Sequence, residues 1–250
     1  MAPLSIQLYT VREMAAKDFV AALKKIAAIG FKGVEFAGLH GMAPKDLRKV
    51  LDDLGMVASS AHCEFPTKDN VGQLVDTART LGYTQLISGR RDVAFKTSAD
   101  IARAAAEYEA AAGLMPKGMT VGYHNHWWEF GVVDGRLGMD RFLEKAPSVF
   151  AQVDVYWAAN FGAVDPARFV ADHKSRIPTL HLKDGPLVQG HKHTALGKGK
   201  VNLSACVAAA DPKLLEWVVF EMDACDGDVM LAVAESYMFA VDSKLAEGRK

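Results

Sequence analysis

The sequence predicts an α/β protein folded as a single (β/α)8 TIM barrel, a closed sheet of eight parallel strands. Three observations carry this. Short β-rich runs alternate with alanine-rich helical runs eight times along 250 residues, the length usual for such a barrel. Each helical crossover returns the chain to the same end of the sheet, so successive strands must pair in parallel. An open doubly wound sheet would be expected to carry a Gly-x-Gly-x-x-Gly turn after its first strand, and residues 8–15 contain no glycine.

The expected strands are Leu4–Thr10, Gly33–Ala37, Met56–His62, Gln85–Gly89, Thr120–His126, Phe150–Trp157, Ile177–Asp184 and Trp217–Asp223. The expected helices are Asp18–Ile29, Lys45–Leu54, Val71–Leu81, Ser98–Ala112, Asp140–Lys145, Pro166–His173, Leu203–Ala209 and Val229–Leu245. Gly30, Gly55, Gly82 and Gly113 each follow a helical stretch, where glycine supplies a left-handed C-terminal cap at low cost. Asp165-Pro166 and Asp211-Pro212 read as helix or turn starts, since proline's fixed φ suits a first turn. No Pro/Gly/Ser linker and no shift of composition divides the chain, so residues 1–250 are expected to form one domain.

Charge excludes some functions. Lys plus Arg number 29 against 30 Asp plus Glu, a formal net charge of −1, and this offers no field for releasing counterions from nucleic acid. The basic stretch His191–Lys200 reads as a solvated loop. Cys63, Cys206 and Cys225 are odd in number and widely spaced, which indicates neither a disulfide framework nor a zinc ribbon. The N-terminus has no charged region followed by an apolar stretch, and no apolar run approaches the length of a membrane helix. The expected setting is cytoplasmic, without a membrane partner.

Buried parallel strands should be nearly all apolar, with polar side chains tolerated mainly at the C-terminal rim where barrel enzymes place their sites. Here the strands end repeatedly in polar residues: Glu35, His62, His124-Asn125-His126, Asp154, His181-Leu182-Lys183 and Glu221. Side chains alternate faces along a strand. If Val153 and Val155, and likewise Leu180 and Leu182, contact the outer helices, then Asp154, His181 and Glu221 point inward and converge. Singly, each has a simpler use: Asp154 as a helix cap, His181 as a core histidine, Glu221 as a partner of Lys183. Together they point to a divalent ion, because two unpaired buried carboxylates need a cation or a proton. Lys183, on the same face as His181, either polarises a substrate oxygen or balances the carboxylates. Trp127, Trp128 and Trp157 form an apolar wall near the rim or pack structurally, and Glu35, His62 and His126 are expected as substrate contacts or outer support. His40, His173, His191 and His193 receive no role. Gly197-Lys198-Gly199-Lys200 resembles a phosphate-cradling loop but lacks P-loop spacing.

The segments Gly30–Phe36, Tyr123–Phe130, Val153–Trp157, His181–Gly185 and Val219–Asp223 together resemble the sugar phosphate isomerase/epimerase family of xylose-isomerase-like barrels, along essentially the whole chain. The resemblance implies a divalent ion, Mn²⁺ favoured with Mg²⁺, Co²⁺ or Zn²⁺ as alternatives, held by residues of the fifth to eighth strands. Asp154, His181 and Glu221 match three of the four positions. The fifth strand departs from the pattern, and either Glu129 or His124 completes the set, with Glu129 preferred because a hard ion favours oxygen. The implied activity is isomerisation or epimerisation of a small carbohydrate through an enediolate, with Glu129 and Glu221 as base and acid and Lys183 holding the developing charge. His62, His126, Trp157 and Glu35 would contact substrate. The same site could serve a dehydratase or a β-eliminating lyase acting on an inosose or 3-keto-glycoside. A non-catalytic sugar-binding barrel and an endonuclease-like hydrolase are the other readings, and the charge balance argues against the last. A homo-oligomer is expected from barrel size alone.

Overall fold

The structure, a computed structural model, describes residues 1–249. Eight parallel strands close into a barrel: β1 (Leu4–Gln7), β2 (Gly33–Ala37), β3 (Val57–His62), β4 (Gln85–Ser88), β5 (Thr120–His124), β6 (Phe150–Asp154), β7 (Thr179–Leu182) and β8 (Trp217–Phe220). Each pairs with the next in sequence, and β8 returns to β1 with Leu4 opposite Val218. The expected fold class is the one observed. Among the described residues no helix is long and apolar enough to cross a membrane.

Local chemistry explains the helices. In α2 (Phe19–Ile29) the Asp18 carboxylate accepts from the Ala21 N–H at 2.9 Å, and Phe19, Ala22, Leu23 and Ile26 form the buried face at helical spacing. The helix stops at Gly30, whose φ of 119° an L side chain rarely adopts. Asp165 caps α8 (Pro166–His173) through the Ala167 and Arg168 N–H groups, and Asp228 caps α10 (Val229–Asp242). Val34, Leu86, Val121, Val153, Leu180 and Val218 from six of the strands are buried in the hydrophobic core that the helices share.

Several expected boundaries are corrected. The first strand ends at Gln7 instead of Thr10 and continues as a 3₁₀ turn, Leu8–Val11, into the short helix α1 (Arg12–Lys17). The sixth strand ends at Asp154, and Val155–Ala158 form the helical turn α7. Asp154 Oδ1 accepts from the Trp157 N–H at 2.9 Å, so a cap overrides the strand preference of Val155, Tyr156 and Trp157. The fifth strand ends at His124 and the seventh spans only Thr179–Leu182. Gly30, Gly55 and Gly82 have positive φ, but Gly113 is right-handed at −66° and the chain reverses at Gly118 instead. A small hairpin, Val132–Val133 with Arg136–Leu137, lies outside the barrel and was not expected.

The long connection after β7 is folded around one carboxylate. Asp184, buried, accepts from the backbone N–H groups of Gly185, Gly197, Gly199 and Val201 at 2.8–3.1 Å. A Cβ at Gly199 would collide with that carboxylate. The Gly-Lys-Gly-Lys segment is therefore a clamp for Asp184, and Lys198 and Lys192 pair outward with Glu235 and Asp226. Asp184→Ala removes the acceptor of four N–H groups. We expect amide exchange at Gly197, Gly199 and Val201 to accelerate at least about tenfold, with a loss of about 2–4 kcal/mol of stability. Unchanged exchange at these three amides would refute the clamp.

Candidate metal centre and cavity

Strand register places the polar residues in one interior layer. Gln7 lies beside Glu35, and Glu35 beside Ser60. His124 lies beside Gln152, and Asp154 beside His181. Glu35 is fully buried and takes donors from all sides: Gln7 Nε2 at 2.7 Å, Ser60 Oγ at 2.5 Å, Gln152 Nε2 at 2.6 Å and His181 Nε2 at 2.6 Å. Burial alone would raise its pKa, but the His181 and His62 rings beside it win, and it falls to about 2.

His181 bridges two carboxylates, with Nε2 on Glu35 and Nδ1 2.9 Å from Glu221 Oε2. Burial opposes its charge, yet the two carboxylates outweigh that and push its pKa up to about 10. The ring is thus an imidazolium as it stands. Lys183 is the second internal cation. Its Nζ lies 2.9 Å from Asp154 Oδ2, 3.1 Å from Glu221 Oε2 and 3.1 Å from Asp223 Oδ2. Burial disfavours this charge too, and the three carboxylates reverse the effect, so its pKa lies above lysine's ordinary value.

One atom each from His124, Asp154, His181 and Glu221 lies within 4.8 Å of the others. These residues belong to or directly follow four adjacent strands, β5 to β8. The set fits a divalent ion on three grounds. Two carboxylates and two imidazoles suit a borderline metal. Asp154 Oδ2 has no neutral hydrogen-bond donor and meets the Lys183 ammonium at 2.9 Å. Gln152 Oε1 lies 3.0 Å from His124 Nδ1, so that nitrogen donates and Nε2 keeps the lone pair a metal would take. Burial first, then the neighbouring histidines, hold the His124 pKa well below normal, so the ring is neutral. As a ligand His181 would give up one proton and keep Glu35 as its orienting partner.

Above this group opens a cavity of about 350 Å³ lined by Tyr9, His62, His126, Trp157, Lys183 and Glu221 among others, within the roughly 300–1,000 Å³ of small-ligand sites. His126 stacks on Trp128 at 4.3 Å, and burial together with Lys183 pushes its pKa down to about 4. The Trp157 ring lies 5.2 Å from Lys183 Nζ. His62, His126 and Trp157, expected at the substrate, all line this space. Glu35 does not: it sits beneath His181 as outer support.

Glu129 stands apart from this group. Expected to complete the ligand set and to act on substrate, it lies outside the donor group and does not line the cavity. The 3₁₀ turn Trp128–Phe130 folds its carboxylate back, where Oε1 accepts from the Tyr123 hydroxyl at 2.7 Å and Oε2 from the His126 N–H at 2.8 Å. Burial outweighs these bonds and raises its pKa to about 8. His124 takes its place in the group. Two participants were missed: Gln152, which holds His62, His124 and Glu35 together, and Asp223, the third acid on Lys183. Each stands two residues from a recognised site residue, and alternation along the chain was the available signal.

The description of the xylose isomerase-like TIM barrel matches residues 23–236. No curated protein matches the chain. Similar solved structures include a sugar phosphate isomerase/epimerase from Parabacteroides distasonis, 21% identical over 99% of this chain and 96% of that one, with a TM-score of 0.77. An AP endonuclease of family 2 from Brucella melitensis is 16% identical over 96% and 99%, with a TM-score of 0.73. A D-tagatose 3-epimerase-like protein is 16% identical over 98% and 100%, with a TM-score of 0.68. At such identities the likeness shows the fold.

The Glu129 environment gives a pH test. Because its folded pKa is raised from 4.5 to about 8, its contribution to stability is fully present below about pH 4.5 and is lost as pH rises through about 8. Glu129→Gln keeps the shape without the charge. Urea denaturation should show the variant more stable than the parent at pH 9 and nearly equal at pH 5. A parent that remains the more stable at pH 9 would contradict the burial argument.

Proposed function

The chain belongs to the xylose isomerase-like TIM barrel family, and from that premise we propose that it is a divalent-metal-dependent isomerase or epimerase of a small carbohydrate. The proposed reaction begins with removal of a proton next to a carbonyl. The single observation that carries this reading is the placement of two carboxylates and two imidazoles within 4.8 Å of one another beneath a 350 Å³ cavity.

A divalent ion held by His124, Asp154, His181 and Glu221 would supply Lewis-acid polarisation of a substrate carbonyl. The chain's own groups do the rest. Glu221 lines the cavity and is ionised, since Lys183 and His181 overcome its burial and hold its pKa well below normal. It is the carboxylate placed to take the proton. His126 replaces Glu129 as the second partner: a neutral imidazole on the cavity wall that donates a hydrogen bond to a substrate oxygen. Lys183 stands beside the charge that develops. Trp157 covers one side, and aromatic surface both excludes water and stacks on the C–H face of a sugar.

A second reading, β-elimination from a glycoside or polyol, shares that first proton removal. One observation favours it. A second cavity of about 390 Å³, lined by Trp127, Trp157 and Phe161, shares Trp157 and Asp223 with the first and could house a leaving group.

The common step is tested by solvent-deuterium incorporation into a panel of ketoses, inososes and 3-keto-glycosides with Mn²⁺ present. Exchange is expected with at least one class, and its absence from all of them would sink the proposal. Glu221→Gln should lower the exchange rate by about 10²–10⁴-fold. Chelation should abolish exchange and Mn²⁺ restore it, while Asp154→Asn should leave the purified protein without stoichiometric metal by elemental analysis.

A further inference from the structure

We propose that Lys183 is a resident counter-cation: without metal its ammonium holds Asp154 and Glu221, and it must withdraw onto Asp223 before an ion can load. This rests on the metal reading above and goes beyond it, assigning a competitor to the site and not another ligand.

The geometry is that of a filled site. An ammonium has three N–H donors, and Lys183 Nζ has three carboxylate oxygens at 2.9–3.1 Å. The side chain is 1% exposed, so it is built into the structure and does not hang over the site from outside. Two of its three partners, Asp154 and Glu221, are also members of the four-residue donor group. Asp154 Oδ1 accepts the Trp157 N–H and Oδ2 faces Lys183, so the oxygen turned toward the donor group is the one the ammonium already holds. An ion and an ammonium sharing these carboxylates would repel each other in a buried setting where water screens little. The third partner offers the way out. Asp223 is outside the donor group, and its side chain is 33% exposed at the cavity. Glu35, Asp154, Glu221 and Asp223 outnumber the internal cations His181 and Lys183 by two, so the cluster still attracts a divalent ion while Lys183 weakens its hold.

The test compares the wild type with Lys183→Met, both stripped by chelation and titrated with Mn²⁺ by calorimetry, with melting temperatures measured in parallel. The variant should bind Mn²⁺ at least tenfold more tightly, and Mn²⁺ should raise its Tm by more than it raises the parent's. Metal binding by the variant alone would overturn the withdrawal onto Asp223, and with it the metal-dependent reading of the wild type. Binding by the variant no tighter than by the parent would overturn it. Binding by neither would overturn the metal reading and this one with it. Should the variant fail to fold, a crystal structure of the wild type soaked in Mn²⁺ serves instead. Nζ should then be found on Asp223 alone, and Nζ still paired with Asp154 and Glu221 beside a bound ion would refute the displacement.

Discussion

A carboxylate taken into a barrel interior must find a cation, a proton or several hydrogen-bond donors, and this protein buries Glu35, Asp154 and Glu221 at one end of the sheet. The rest of the site follows from how each is compensated. Glu35 is satisfied by donors from four different strands, so its position depends on the barrel being closed and in register. His181 then links Glu35 to Glu221, and Lys183 links Glu221 to Asp154. The chain of alternating charges runs from β2 round to β8. A slip of one residue in any of these strands would turn its site residue to the helix-facing side, which ties the chemistry of the rim to the correctness of the fold.

Two aspartates show how backbone and site are built by the same atoms. Asp154 spends one oxygen ending β6 and starting α7 through the Trp157 N–H, and leaves the other for the charge cluster. The same cap sets Trp157 on the cavity wall. Asp184 spends both oxygens on the loop that follows β7. That loop also carries His193, whose ring packs against Tyr156 and Trp157 and accepts the Asp223 N–H. Neither carboxylate is merely structural or merely functional. Removing the hydrogen bonds of one would blur the geometry of the other's neighbours.

Much of this was legible in the sequence, for a definable reason. Alternation with period two is a strong rule in a buried parallel strand, and it was sufficient to bring Asp154, His181 and Glu221 together. The rule stops at the strand ends. Glu129 lies beyond the end of β5, on a 3₁₀ turn whose direction no periodicity specifies. The donors that capture it, the Tyr123 hydroxyl and the His126 N–H, are local and leave no pattern in the sequence. Gln152 obeyed the alternation but carries no charge, and a search for titratable groups passes over an amide. The helical turn after Asp154 was hidden because Val155, Tyr156 and Trp157 are good strand formers, and only the cap reveals them as a turn.

Two overlapping groups could in principle hold an ion: His124, Asp154, His181 and Glu221, or His62, His124 and His181. Their hydrogen bonds separate them. In the three-histidine set, His62 Nε2 lies 2.6 Å from Gln152 Oε1 and 3.2 Å from Glu35, His124 Nδ1 is on the same amide oxygen, and His181 Nε2 is on Glu35. Using His181 Nε2 for an ion in that set would take from Glu35 its charged donor. In the four-residue set Asp154 Oδ2 has only the Lys183 ammonium as partner and His124 keeps a lone pair. Lys183 must move and His181 must release the proton it shares with Glu221, while Asp223 is already a partner of the lysine. The physical preference therefore falls on the group that can accept an ion without unpairing the carboxylate at the centre of the barrel.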